Sequence, residues 1–345
     1  MPNPTIAAGY PKEFLEFAVS RGANRTALLE RSHLCLDDLE NSEGRIPIAK
    51  YMSLIKVAIE VCDEPALALL FGEAVSLQDI SIVGFLGETV DDIASGPAMM
   101  NRYACLAIDP DDGGNADAIE LAHEAGDLWL KSTSELYLDN PLLTESAFAR
   151  TVCSVRARWS SIPELARFTF PKAIRFTHQE PSYRAEYDRI FGVPLFFGSN
   201  MNALSLDEGF LKVSLPRANP HLSQVLTARA EELLKSLESS KTTRGKVEKL
   251  LAANLQNGAT SVDGIARQLG VSRQTLFRRL KAEGVTFEEV LDELRHTTAL
   301  KYLEDRNLSV SETAYLVGFS DRAAFSRAFK RWTGHSPAAI RKRKA

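Results

Sequence analysis

Two short stretches of the chain carry side chains whose types and spacing suit contact with base edges and phosphates. In the first, Arg273, Gln274, Phe277, Arg278 and Lys281 lie off the face defined by Leu276 and Leu280. In the second, Arg322, Ala323, Ala324, Ser326, Arg327 and Lys330 lie off the face defined by Phe325 and Phe329. Arginine offers a fork that bonds guanine bidentately, glutamine does the same for adenine, and an aromatic ring can touch a thymine methyl. Lys281 and Lys330 suit phosphate, as do backbone amides at a helix N-terminus. Ala323 and Ala324 cannot hydrogen-bond a base, which predicts looser reading there, through apolar contact with methyls. A solvated charged face is the bland alternative for any single arginine. Arg278 and Arg327 in matching places weigh against it.

Both stretches sit inside one pattern that occurs twice. Ser261-Val262, Ile265-Ala266, Leu269-Gly270-Val271-Ser272, Leu276, Arg278 and Leu280-Lys281 return as Ser309-Val310, Thr313-Ala314, Val317-Gly318-Phe319-Ser320, Phe325, Arg327 and Phe329-Lys330. The second copy carries one extra residue in its turn, because the offset is 48 residues at the glycine and 49 beyond it. Each copy has the grammar of a helix-turn-helix. Ile265, Ala266 and Leu269 make one apolar face of a short helix. Gly270 and Gly318 end that helix, where a positive φ is cheapest without a Cβ. Ser272 can cap the second helix of the first copy, and Ser320 or Asp321 that of the second. Two hairpins of an ordinary helical bundle would need neither the serine after the glycine nor a basic outward face.

Gly318-Phe319-Ser320, Phe325-Ser326-Arg327-Ala328-Phe329-Lys330 and Gly334-His335-Ser336-Pro337 closely resemble the signature of AraC/XylS-type transcription regulators, a resemblance that covers roughly residues 241–342. It implies an all-α DNA-binding domain of seven helices, with helix-turn-helix units at about 262–283 and 310–332 joined by a long helix at about 287–304. It also directs Gln274, Phe277 and Arg278 toward bases. Val290, Leu291, Leu294, Ala299, Leu300 and Leu303 fit the joining helix by their spacing. At about 1.5 Å per residue that helix spans on the order of 25 Å. It can then hold two helices in successive major grooves, about 34 Å apart on one side of a double-stranded DNA.

At 345 residues the chain is long enough for two domains, placed at 1–238 and 239–345. Residues 241–345 hold 20 Lys and Arg against 11 Asp and Glu, +9, which leaves −13 on residues 1–240. A basic end joined to an acidic remainder is the footprint of a chain whose C-terminal part meets phosphate and whose other part lies away from it. No apolar run approaches the ~20 residues of a membrane span, and the N-terminus lacks a secretory pattern, so a cytoplasmic protein with no membrane contact is expected. Cys35, Cys62, Cys105 and Cys153 are isolated, so neither a zinc site nor a disulfide is expected, and no cofactor.

The first 240 residues read as an α+β sensor. Helices are expected over 13–21, 48–61, 66–75 and 98–107, a hairpin over 118–133, and a helix from Asn140-Pro141 to about Trp159. A strand over 173–178, a helix over 181–191, and a second hairpin pairing 202–206 with 210–215 follow. A helix opens at Asn219-Pro220 and runs to about Leu237, and 239–244 is a polar linker. Asp109 to Asn115 reads as a surface turn, since the spacing of a calcium loop is absent. Ser20-Arg21-Gly22, Arg45-Ile46-Pro47, Gly84-Phe85-Leu86-Gly87, Gly192 to Phe197, Asn202-Ala203-Leu204 and Leu215 to Pro220 are similar to the ligand-binding and dimerisation domain of the ornithine-utilisation and virulence-type branch of the same family. That resemblance implies a small-molecule effector pocket. Phe85, Trp129 and Trp159, with Phe148, Phe170, Phe176, Tyr183 and Phe196, are candidates to line it, against the plainer role of core aromatics. Arg156 and Arg175 are candidates to hold a ligand carboxylate, against the plainer role of salt bridges.

Leu222, Leu226, Ala230, Leu233 and Leu237 form a stripe that packs on its own domain or pairs in a homodimer. RNA polymerase is a further expected partner. The catalytic signatures of serine hydrolases, zinc proteases and nucleotide-binding enzymes are absent, and His33, His123, His178 and His221 are scattered. The alternative reading is an enzyme with a fused DNA-binding tail, a repair alkyltransferase or a hydrolase. None of the four cysteines has the Pro-Cys-His-Arg setting that such an alkyltransferase needs.

Overall fold

A computed structural model of the chain describes residues 3–111, 118–124, 126–160, 162–215, 219–258, 260–304 and 308–343. Two compact units divide the chain, Met1–Leu234 and Lys235–Ala345.

The first unit opens on β1 (Thr5–Ala7), α1 (Gly9–Ser20), α2 (Arg25–Ser32), α3 (Leu36–Glu40), β2 (Arg45–Pro47), α4 (Ile48–Cys62), α5 (Leu67–Ala74), α6 (Leu77–Ile80), α7 (Ile82–Gly87), α8 (Gly96–Ala107) and β3 (Ile108–Asp109). The three strands form an antiparallel sheet in the order β2-β1-β3, with Ile6 opposite Ile46 and Ile108. Phe14, Leu15 and Ala18 of α1 and Tyr51, Leu54, Ile55 and Ala58 of α4 are buried at helical spacing. α5 is buried from Leu67 through Gly72, so it is a core helix apolar all round rather than an amphipathic one.

β4 (Ile119–Glu124), β5 (Asp127–Ser132), α9 (Glu135–Leu138), α10 (Pro141–Trp159), β6 (Ile174–Arg175), α11 (Arg184–Phe191), β7 (Leu195–Phe196) and β8 (Asn202–Leu206) follow. Their sheet runs β4-β5-β8-β6-β7, antiparallel except between β6 and β7. Leu128, Phe148, Val152, Ile174, Phe176, Phe191, Leu204 and Leu206 make the core beneath it.

Several expectations give way here. β8 has β5 on one edge and β6 on the other, so no edge remains for residues 210–215 and the second hairpin does not form. Phe210–Lys212 is a 3-10 turn, and Ser214 makes only an isolated bridge to Asp92. The strand expected over 173–178 is confined to Ile174–Arg175. Asn140 precedes α10, but its amide donates to the Leu136 carbonyl at 2.8 Å instead of capping the helix. The polar stretch 239–244 is no extended linker. α12 (Pro220–Lys241) runs through its start, and Thr242 then caps α13 (Thr243–Asn254), its side chain accepting from the Gly245 amide at 2.9 Å. Residues 112–115 of the expected turn after Asp109, and 216–218 of the Leu215–Pro220 motif, lie outside the described residues.

In the second unit α13 is followed by α14 (Val262–Gln268), α15 (Arg273–Ala282), α16 (Phe287–Glu304), α17 (Val310–Leu316), α18 (Arg322–Thr333) and α19 (Pro337–Arg343), seven helices among the described residues. They surround two cores. Val247, Leu251, Ile265, Ala266, Leu276, Leu280, Phe287 and Val290 make the first. Leu255, Ala299, Leu303, Val310, Ala314, Val317, Phe325 and Phe329 make the second. α16 supplies residues to both, and Leu291 and Leu294 touch both. That long helix is the spine on which each helix-turn-helix is mounted.

Candidate nucleic-acid interface

Each outer helix is started by a side-chain cap. Ser272 accepts from the Thr275 amide at 3.1 Å, which begins α15. Asp321, not Ser320, begins α18, and its carboxylate accepts from the amides of Ala323 and Ala324 at 2.8 and 2.9 Å. Those two amides hold the Asp321 carboxyl below the usual carboxylate range. The inner helices are capped as well, by Ser261 on α14 and by a reciprocal Ser309–Glu312 box on α17. With Leu276 and Leu280, or Phe325 and Phe329, locked in a core, the opposite face of each outer helix must point outward.

On α15, Arg273, Gln274, Arg278 and Lys281 are exposed, while Phe277 is half-buried against the first core. The Arg273 guanidinium reaches Asp263 at 3.4 Å and lies 5.4 Å over the Phe277 ring, so its position is set from within. Gln274, Arg278 and Lys281 bond no other side chain among the described residues, which leaves their polar ends available. On α18, Arg322, Ala323, Arg327 and Lys330 are exposed, and Ala324 and Ser326 are half-buried. Arg327 and Ala324 line a groove of about 530 Å3 together with Asp292, Arg295, Phe319, Ala328 and Arg331. The groove holds both charges, since Arg331 pairs with Asp292 at 2.6 Å.

The expectations did not include Arg295. Its Nε donates to the Val317 carbonyl at 3.2 Å and its Nη2 to that of Gly318 at 3.3 Å, with the guanidinium 4.7 Å over Phe319. It ties the spine helix to the second turn by satisfying carbonyls that the end of α17 leaves open. Burial lowers its pKa from the ordinary arginine value. Spacing hid it, because that helix is read for its apolar stripe.

Residues 22–215 match the family described as the arabinose-binding domain of AraC transcription regulator, N-terminal, and residues 265–343 match a helix-turn-helix domain family. The chain belongs to the AraC/XylS family of transcription regulators. This AraC-type regulator is 26% identical over 341 residues to the ornithine utilization regulator of Pseudomonas aeruginosa, covering 97% of this chain and 96% of that one. It is 29% identical over 166 residues to the transcriptional regulator VirS of Mycobacterium tuberculosis, 48% of each chain. The crystal structure of the transcriptional regulator CdpR from Pseudomonas aeruginosa aligns with 92% of this chain and 96% of that one, at 22% identity and a TM-score of 0.36. The named relatives are transcription regulators, and none supports the enzymatic alternative. Among the described residues no helix is long and apolar enough to cross a membrane, and no group of three or more His, Cys, Asp or Glu could hold a metal.

Of Phe85, Trp129, Arg156, Trp159 and Arg175, the structure brings Trp129 and Arg175 into contact and gives the others different partners. Phe85 is 44% exposed. Trp129 is buried, with the Arg175 guanidinium 4.1 Å over its ring, and Arg175 is ion-paired with Glu124. Trp159 packs against Phe170 and Phe210. The Arg156 guanidinium donates to the carbonyls of Phe170, Ile190 and Phe191, the first at 2.8 Å. Arg156 is therefore a strut between α10 and the end of α11, with each of its three nitrogens already donating to a backbone carbonyl. Arg175 takes the salt-bridge role.

Proposed function

We propose that each copy of this regulator reads two successive major grooves of a double-stranded DNA, with α15 as the principal base reader and α18 as the second. In this reading Arg278 takes guanine, Gln274 adenine and Phe277 a thymine methyl, while Ala323, Ala324 and Ser326 set a softer preference beside Arg327. Arg273, Arg322, Lys281 and Lys330 take phosphates. The observation that carries the reading is the pair of exposed cationic faces mounted through two cores on α16. Binding of the full chain to a duplex bearing its site is expected to fall with salt at a log–log slope near −5, using about 0.9 per phosphate and five or six phosphates. A slope near zero would end the reading.

The match of residues 22–215 to a ligand-binding family supports a small-molecule effector on the first unit. Pairing of two copies, and contact with RNA polymerase in the cytoplasm, belong to the same reading. For pairing, α12 offers two exposed apolar side chains, Leu222 and Val225, each 52% exposed. Leu222→Lys with Val225→Lys is expected to give a folded monomer in sedimentation; an unchanged dimer would refute pairing through α12.

A further inference from the structure

Arg150 lies inside the first unit at 5% exposure, on the part of α10 that packs against α5. Among the described residues its only hydrogen bond runs from Nη2 to Ser146 Oγ at 2.9 Å, and its buried Nε has no partner there. The guanidinium stands over two rings, 5.2 Å from the centroid of Tyr10 and 5.5 Å from that of Phe71. Among the described residues no carboxylate pairs with it. A buried cation without a counter-charge is among the costliest arrangements in a protein interior, and arginine cannot escape by losing its proton. Glu145, on the same helix, meets the opposite fate. Burial pushes its carboxyl up to about 7 and favours the neutral form, while the hydroxyls of Tyr183 and Tyr187, which donate to it, pull the other way.

The neighbours of Arg150 are donors too. Tyr10 from α1 and Tyr51 from α4 meet edge to face at 6.4 Å, and both feel the Arg150 charge, as does Tyr137 from α9. None of the three hydroxyls hydrogen-bonds another described residue. Tyr10 and Tyr51 are 5% and 1% exposed, whereas Tyr137 keeps accessible surface at the α9 end of the cluster. Arg45 approaches Tyr10 from the three-stranded sheet, but its donors are engaged by Thr5 and the Leu106 carbonyl. The unpartnered Nε edge of the guanidinium and three phenol hydroxyls, beside the rings of Phe71 and Phe14, form a cluster of donors with no anionic acceptor among the described residues. Carboxylate oxygens accept from an arginine fork and from phenols at once, and a carboxylate supplies the missing charge. A neutral sugar would leave that charge uncompensated.

We propose that Arg150, with the hydroxyls of Tyr10, Tyr51 and Tyr137, forms the binding site for a small monocarboxylate whose apolar body lies against these rings. It rests on the reading that the first unit holds the effector. The test is thermal unfolding of the full chain at constant ionic strength with hexanoate, benzoate, hexanamide and arabinose as probes. At roughly five times its Kd a carboxylate raises Tm by about 2–4 °C, while the amide and the sugar do nothing. Arg150→Met abolishes the rise and, without probe, melts at or above the parent, because it removes an uncompensated buried charge. Tyr137→Phe keeps the ring and weakens carboxylate binding roughly tenfold. The site is overturned if neither carboxylate shifts Tm up to its solubility limit, if the amide shifts it equally, if Arg150→Met retains the rise, or if Arg150→Met melts well below the parent. DNA affinity measured on the same samples separates the two readings. Carboxylate binding that leaves DNA affinity unchanged keeps the site and removes its role as effector site. A metabolite response on DNA that persists in Tyr137→Phe and Arg150→Met keeps the effector and removes the site.

Discussion

The first helix-turn-helix turns at Gly270, where an added Cβ would meet open space, and starts its outer helix under a neutral hydroxyl. The second turns at Gly318, where a Cβ would stand 2.7 Å from the Leu255 carbonyl, and starts its outer helix under a carboxylate. Both glycines have positive φ, 66° and 79°, so both relieve the same backbone constraint. Only the second is also pressed into its core, where Arg295 holds the turn from the other side. The outer helices differ in the same sense. α15 displays Gln274 and Arg278, whereas α18 displays two alanines at the matching start and buries two phenylalanines below. In the proposed reading the first copy reads bases and the second anchors.

The largest test of that contrast is paired Gly→Ala substitution. Gly270→Ala is expected to cost about 1–2 kcal/mol, the penalty for a side chain in the left-handed region. Gly318→Ala adds a clash with backbone that cannot move without disturbing Leu255 and Arg295, for a total of roughly 3–4 kcal/mol. Urea unfolding of the full chain, with midpoints compared at constant slope, reads both. Equal losses would show that the second turn is no more tightly built than the first.

A smaller effect separates the two arginines. Arg278→Ala is expected to cost roughly 1–3 kcal/mol on the cognate site and little on random DNA, as removal of a bidentate base contact does. Arg327→Ala, beside two alanines and in a groove shared with Arg331 and Asp292, is expected to lose discrimination by less. Equal losses on cognate and random DNA would reassign either arginine to phosphate. A larger loss of discrimination at Arg327 would invert the comparison.

The two copies were legible because their signals are local and repeated. Gly270 and Gly318, the caps at Ser272 and Asp321, and the i, i+4 pairs below them each act within a few residues of chain, so spacing reports them. The first unit hides its chemistry in contacts between segments far apart in sequence. Arg156 looks like Arg150 in the sequence, yet one satisfies three carbonyls and the other none. The failed hairpin at 210–215 has the same origin, since β8 takes its neighbours from β5 and β6 and no local pattern states that its edges are filled. Arg295 was missed for the complementary reason: its partners lie 22 and 23 residues away in another helix-turn-helix element.

The smallest expected effect concerns the helix starts. A helix N-terminus attracts phosphate through its open amides and the positive end of its dipole. Ser272 leaves α15 with that attraction, because a hydroxyl caps without adding charge. Asp321 occupies two amides of α18 and puts a negative charge where a phosphate would approach. Since its amide bonds depress its pKa, the cap is ionised and fully formed above about pH 4 and is lost only as pH falls below that value. Titration near neutrality therefore leaves it unchanged, and substitution is the way to move it. Asp321→Asn keeps the cap, because asparagine is an equally good N-cap, and removes the charge. Its DNA affinity at low salt is expected to rise roughly 2–5-fold, with thermal stability slightly lowered because the ionised cap also favours the helix N-terminus. Ser272→Asp, the converse exchange, is expected to lower affinity by a similar factor, and added salt shrinks both effects. If Ser272→Asp weakens binding while Asp321→Asn does nothing, then the start of α18 never meets phosphate, and the second copy anchors through Lys330 and Arg322 alone.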